Sequence, residues 1–270
     1  MIDKTILDTI NRRTYAAQKV VRSYQDSDFL LKVEEIILQR LLPFIQNRKL
    51  LDIGIGGGRT TKYLLEISED YTGVDYTLGL AEVVKRKYPH ATILCADARA
   101  LNISGDVFDF ALFSFNGIDS INHDARVKAL GEIYRVLKPG GVYMFSTHNR
   151  DFRNFKKAPW REGPFFSLGY LKRFLYTLVY SPRRLMMRKY EVSTGEYAIV
   201  NDSAHGFSLL LYYIGIRQQI KQLESIGFVQ IEPYDMDGNR VENDTSFPWT
   251  YYLARKPAGP GLDKIPPLPN

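Results

Sequence analysis

Residues 49–254 predict an α/β fold: a doubly wound, mostly parallel sheet of about seven strands, with an N-terminal helix and an inserted α-rich or irregular cap. Three observations carry this. Short apolar runs alternate with helical periods from residue 49 to residue 147, the pattern of strands joined by crossover helices. A glycine cluster, Gly54 and Gly56 to Gly58, falls where the first of those strands hands over to a helix. The rhythm breaks after residue 149 and resumes at 216, so the piece between reads as an insertion into one domain.

Before the alternation, Phe29, Leu30, Val33, Ile36, Ile37, Leu41 and Phe44 recur at helical spacing and predict an amphipathic helix over 28–45. Residues 49–53 are short and apolar, as a buried strand is. A helix over 59–67 and a strand over 71–74 follow, then a helix over 78–88 that Pro89 stops. Strands are expected at 91–95 and 108–113. The helix over 124–137 opens with Asn122 as its cap, which leaves His123 to the helix entry, and it ends at Lys138-Pro139-Gly140-Gly141, before a strand over 142–147. Beyond the insertion come a helix over 216–226, with Gly227 where a left-handed residue is wanted, and strands over 228–232 and 250–254, the last antiparallel. Residues 1–255 thus read as a single domain with 150–213 as its inserted cap, and the proline- and glycine-rich 256–270 as a disordered tail.

The 270 residues are 45% hydrophobic and 24% charged, an ordinary globular balance with length enough for a large core. The lone cysteine, Cys95, excludes an internal disulfide, a CxxC pair and a four-cysteine metal site, and no metal is expected. The first residues are charged throughout, without the apolar stretch of a signal peptide, and no run of 18 apolar residues occurs, so the expectation is a cytoplasmic protein. The net charge of +6 is unevenly placed: residues 150–190 hold eleven basic and two acidic side chains. A local excess of that kind suits an anionic partner.

The glycine loop separates two cofactor classes. A dinucleotide fingerprint, G-x-G-x-x-G from Gly54, needs a third glycine at position 59, where the chain has Arg59. What stands there is Asp52, Gly54, Gly56 and Gly58 after a strand and before a helix, whose free N–H groups and dipole favour a carboxylate. About twenty residues on comes Asp75-Tyr76 at a strand end, then Asp97-Ala98, then Ser114-Phe115-Asn116, and last Arg135-Val136-Leu137-Lys138-Pro139-Gly140-Gly141 before a strand. In this order and spacing the motifs resemble the class I methyltransferases that use S-adenosyl-L-methionine (SAM) and release S-adenosyl-L-homocysteine (SAH). The resemblance is close over 50–147 and looser over 218–253. It implies cofactor contacts from Asp52, Gly54, Gly56, Gly58 and Arg59. It implies that Asp75, beside Tyr76, accepts the ribose hydroxyls. Asp97 would receive the adenine amino group and Ala98 would offer an N–H to the ring. Phe115 and Asn116 follow the fourth strand, beside the cofactor. Tyr15 or Tyr24 would close over it, or else pack on the first helix.

The family's reaction is an in-line displacement for which the protein mainly supplies alignment, worth about 7–11 kcal/mol, so no catalytic triad is required. A base serves only a hydroxyl or a protonated amine. His148, Asp119 and His205 are the candidates on the acceptor side; the plainer reading of His148 and Asn149 is that they terminate a strand and bond to backbone. The stretch after the fourth strand reads Ser114-Phe115-Asn116-Gly117, not the N/D-P-P-Y of enzymes that methylate base or glutamine amino groups. A small-molecule acceptor, methylated on oxygen or nitrogen, follows. The insertion mixes basic residues with Phe155, Trp160, Phe165, Phe166, Tyr170, Phe174 and Tyr176. It reads as a lid for an aromatic or anionic acceptor, next as an interfacial helix carrying Leu171, Phe174, Leu175, Leu178 and Val179 toward lipid, and last as a nucleic-acid contact, for which no accessory motif is present. The alternatives are a methyltransferase acting on a lipid or lipid-linked acceptor at a membrane surface, a non-catalytic SAM-binding module and an NAD-dependent oxidoreductase.

Overall fold

The computed structural model describes residues 4–25, 27–156 and 167–258. Trp160, Phe165, Phe166 and most of the expected tail lie outside the described residues.

The alternation appears as a parallel sheet. β1 (Leu50–Ile53), β2 (Tyr71–Asp75), β3 (Thr92–Cys95), β4 (Phe108–Phe113) and β5 (Leu137–Asn149) lie in the order β3-β2-β1-β4-β5. β10 (Trp249–Arg255) runs antiparallel to β5, and β9 (Val229–Tyr234) antiparallel to β10. The reversals at β1 put the ends of β1 and β4 at the switch point where such sheets bind ligands. Helices α3 (Lys32–Ile45) and α4 (Thr61–Ile67) cover one face, where Val33, Ile37, Leu41 and Leu64 pack on Leu50, Phe110 and Leu253. The opposite face is covered by α6 (His123–Val136) and α9 (Ile216–Ile226), through Leu130, Ile133 and Leu223 on Leu51, Ala111 and Tyr252. α5 (Leu78–Lys87) follows β2. Each seam is the apolar stripe read from the 3.6-residue period.

Three differences from the sequence reading matter for the site. First, α3 begins at Lys32, and the segment before it holds two further helices, α1 (Lys4–Ala16) and α2 (Gln18–Gln25). Second, the insertion is largely regular: a 20-residue helix α7 (Leu168–Met187) and an antiparallel set, β6 (Val192–Ser193), β7 (Tyr197–Asp202) and β8 (Leu209–Ile214). Between β7 and β8 lies α8 (Ala204–Phe207), a single turn. β8 joins the main sheet by parallel pairing of Tyr213 and Ile214 with His148 and Asn149, so among the described residues the sheet has ten strands rather than about seven. Third, β5 runs on to Asn149 and thereby carries His148 beyond the end of β4, which last pairs Phe113 with Phe145. Leu7 of α1, Met187 of α7 and Ile199, Leu210 and Tyr212 of the extension form a third apolar cluster. The N-terminal helices and the insertion therefore pack together above the strand ends.

Candidate active site

The β1–α4 turn is built by backbone conformation. Gly54 and Gly56 take φ of +65° and +55°, a region that side chains disfavour. A Cβ on Gly57 would run into the carbonyl of Tyr24, so the turn is pressed against α2. Asp75, at the end of β2, accepts hydrogen bonds from Gly56 N (2.9 Å) and Thr77 N (2.8 Å). Burial raises its carboxyl above the ordinary range, against the pull of those two amides. A chamber opens here, lined by Gly54, Gly56, Asp75, Tyr76 and Ala98 and roofed by Tyr15 and Tyr24.

Five of the residues expected to touch a cofactor do not line this chamber: Asn116, described below, and Asp52, Gly58, Arg59 and Asp97. Asp52 lies beneath the loop, accepting hydrogen bonds from Thr60 Oγ1 (2.7 Å) and Tyr71 OH (3.1 Å). Burial, only partly offset by those bonds, pushes its carboxyl up to about 7. Gly58 packs against Val84. Arg59 turns away to Glu34 of α3, with both terminal nitrogens at 2.6 Å, and also reaches the Phe29 carbonyl and Ser114 Oγ. It clamps α3 to the loop. Asp97 is held by Arg99 (2.9 and 2.6 Å) and by Arg12. Partial burial opposes ionisation there, but the hydrogen bonds and charge of Arg99, with Arg12, bring its carboxyl down to about 2. Its backbone neighbours Ala96 and Ala98 do line the chamber.

A second, larger cavity of about 640 Å³ adjoins the first, sharing Tyr15, Tyr24 and Phe115 with it. Asn116, placed with the cofactor by sequence, lines this second cavity instead. His148 and His205 also line it. His148 Nδ1 lies 2.7 Å from Asp119 Oδ2, which also accepts the His148 N–H at 2.7 Å. The other oxygen of Asp119 accepts from Arg126 Nη1 (2.5 Å) and Thr147 Oγ1 (2.7 Å). Asp119 and Arg126 are fully buried, so this is a desolvated pair behind the imidazole. Asp119 lines neither cavity; His148 stands between it and the larger one. An ionised Asp119 selects the tautomer with a proton on Nδ1 and a lone pair on Nε2. Asn116 Nδ2 lies 3.4 Å from that Nε2, and Asn116 Oδ1 is buried without a hydrogen-bond partner. Phe115 and Asn116 are both left-handed, at φ +53° and +57°, a conformation that costs of order 1–3 kcal/mol per non-glycine residue and recurs at functional sites.

His205, also left-handed, closes the boundary between the cavities: its Nε2 is 3.3 Å from Tyr24 OH, and its ring centroid is 6.2 Å from that of Tyr15. Burial lowers its pKa and outweighs the opposing charge of Asp202. The far wall of the larger cavity carries Lys156, Arg184 and Arg188 against Glu191 and Asp202. His123 stands apart, stacked on Tyr197 at 4.4 Å, behind the Asn122 cap that accepts from Ala125 N. Sequence reasoning missed Arg126, Glu34 and Arg12, because each partner lies in another element. Asp119 and Arg126 are only seven residues apart, but an extended break at Ile121 and Asn122 separates the 3-10 turn of the first from the helix of the second.

With this geometry in view, residues 50–141 match the family described as a methyltransferase domain. Two solved structures share the fold. The CcbJ methyltransferase from Streptomyces caelestis aligns at TM-score 0.60 and 14% identity, over 91% of this chain and 98% of its own. The Burkholderia thailandensis 1,6-didemethyltoxoflavin-N1-methyltransferase, solved with that acceptor and S-adenosylhomocysteine, aligns at 0.58 and 16%, over 95% and 92%. The architecture is thus class I methyltransferase-like. Among curated relatives, the demethylmenaquinone methyltransferase of Renibacterium salmoninarum is 33% identical over 36% of this chain and 40% of its own. The malonyl-[acyl-carrier protein] O-methyltransferase of Salmonella typhimurium is 31% identical over 51% and 55%. The chain thus spans about half the length of these relatives or less.

Proposed function

We propose that the protein transfers a methyl group from SAM to an oxygen or nitrogen of a small-molecule acceptor. The observation that carries this reading is the pair of adjoining cavities, one against the Gly54–Gly56 turn and Asp75, the other against the Asp119–His148 pair, with Tyr15, Tyr24 and Phe115 common to both. The residues of the smaller chamber fit the cofactor. Each Asp75 oxygen keeps a second lone pair for a ribose hydroxyl. The turn lets backbone approach closely, and the strip from Ala96 to Ala98 offers an edge for adenine. When bound, SAM supplies an activated methyl and its leaving group.

What remains for the chain is to position an acceptor, exclude water and take up a proton. His148 Nε2 is the group in this reading that accepts a proton from an acceptor hydroxyl or ammonium, with Asp119 stabilising the imidazolium that forms. Asn116 Oδ1, buried and unpartnered, is available to hold the same acceptor group. Tyr15 and Tyr24 exclude water. The aromatic lining and the Arg184–Arg188 wall favour an acceptor with a flat apolar body and an anionic group. Calorimetric titration with SAH, with NAD as control, tests the cofactor: micromolar binding of the first alone is expected, and its absence in a folded sample removes the proposal. Formation of SAH from SAM with candidate hydroxyl or amine acceptors then separates an enzyme from a SAM-binding module.

A further inference from the structure

The methyl-transfer reading leaves the outer face of α7 unused. The helix runs unbroken from Leu168 to Met187 despite Pro182, because Ser181 Oγ donates to the Leu178 carbonyl that the proline cannot reach (2.8 Å). One face, with Thr177 and Met187, is buried against the protein. The opposite face carries Leu168, Leu171, Leu175, Leu178, Leu185 and Met186, between 48% and 70% exposed. Their spacing of three, four, three, seven and one residues makes them a single stripe down a helix about 30 Å long. Of the fifteen large apolar side chains exposed among the described residues, nine belong to α7. That concentration marks a contact surface rather than scattered exposure.

The charge around the stripe selects the occupant. The helix contains no acidic residue. Lys172, Arg183, Arg188 and Lys189 are exposed on it or directly after it. A second copy of the same face would set these cations against one another with no carboxylate on either helix to pair them. An anionic lipid surface offers both an apolar layer for the stripe and phosphates for the cations. No helix among the described residues is long and apolar enough to cross a membrane, so α7 would lie in the interface plane. We infer that α7 docks the protein onto the surface of an anionic phospholipid bilayer. Arg184 and Arg188 also line the larger cavity, so docking sets that cavity beside the headgroups; only this consequence rests on the methyl-transfer reading.

Co-sedimentation of the full chain with phosphatidylcholine vesicles, with and without phosphatidylglycerol, is the test. The chain should pellet with the anionic vesicles, and the bound fraction should fall as salt is raised. Replacing Leu171, Leu175 and Leu178 together by Asp should lower that fraction about tenfold. Because all three are exposed, far-UV circular dichroism and SAH affinity of this variant should match the parent. The inference is overturned if the parent stays in the supernatant, or if the triple variant pellets as the parent does. It is also overturned if sedimentation equilibrium finds a dimer that the triple variant dissolves, which assigns the stripe to a second copy. A chain that pellets but binds no SAH keeps the docking surface and removes the methyl-transfer proposal.

Discussion

His148 owes its position to strand geometry and its tautomer to Asp119. Replacing His148 by Asn removes the basic nitrogen while keeping a polar side chain of similar reach. The expected result is a fall in kcat of about 10²–10⁴-fold for a hydroxyl or ammonium acceptor, with SAH affinity unchanged, since His148 lines only the larger cavity. An unchanged kcat would make His148 a strand-terminating residue. Asp97 supports a prediction about acid stability. Its folded pKa of about 2 lies below the ordinary 3.8, so its pairing with Arg99 and Arg12 stabilises the fold above about pH 4, and this contribution is lost as pH falls toward 2. The melting temperature of Asp97→Asn should therefore lie below the parent's at neutral pH, with the gap narrowing below about pH 4. A gap constant with pH would mean that the pairing seen here does not set the ionisation of Asp97.

At the scale of elements, the Arg59–Glu34 pair ties α3 to the glycine turn. Glu34 is fully buried, and it also accepts a hydrogen bond from Tyr251 OH at 2.7 Å. Arg59→Met leaves that carboxylate without its cation and should cost about 3–5 kcal/mol in urea unfolding, whereas Arg59→Met with Glu34→Gln should recover part of the loss. A single variant as stable as the parent would deny the clamp. Here also lies the difference between what a sequence discloses and what it does not. The core helices and strands could be read because periods of 3.6 and 2 are local properties of the chain. The glycine turn and Asp75 could be read because both sit at strand ends. The position of Arg59 in the turn is a local property, but its pairing with Glu34, 25 residues earlier, is not. The run Leu209 to Ile214 is apolar enough for a strand, but its pairing with the last two residues of β5 closes a long loop and is not a local property. α1 and α2 are short and mostly polar, and their order comes from tertiary contacts rather than from propensity.

At the scale of the whole molecule, a class I methyltransferase-like sheet core carries two additions that converge over its strand ends: the N-terminal helix pair and the β6–β7–β8 extension with α7. Asn11 couples them, since its amide nitrogen donates to the carbonyls of Ser120 (2.8 Å) and Leu210 (2.7 Å) and its oxygen accepts from Leu210 N (3.0 Å). Tyr15 and Tyr24, on the helix pair, meet His205, on the extension, at the boundary of the two cavities. α2 is also pressed against Gly57, so the chamber beside the glycine turn and this cover share a wall. In the proposed function the cover must open to admit a cofactor, and a bound cofactor must hold it shut. Segments that open locally exchange their amide protons faster than the core does, and a ligand that binds only the closed form slows them in proportion to its occupancy. Saturating SAH should therefore slow exchange in Gln18–Gln25 and across residues 54–58 by about tenfold or more. α9, packed on one face of the sheet, and β9, beyond β10 at the sheet's edge, should change little. Gly57→Ala, whose added methyl collides with the Tyr24 carbonyl, should lose most of that protection and weaken SAH binding while the exchange of α9 stays as in the parent. Equal slowing throughout the chain would instead mean that SAH stabilises the domain globally, and α2 would then be a fixed wall rather than a cover.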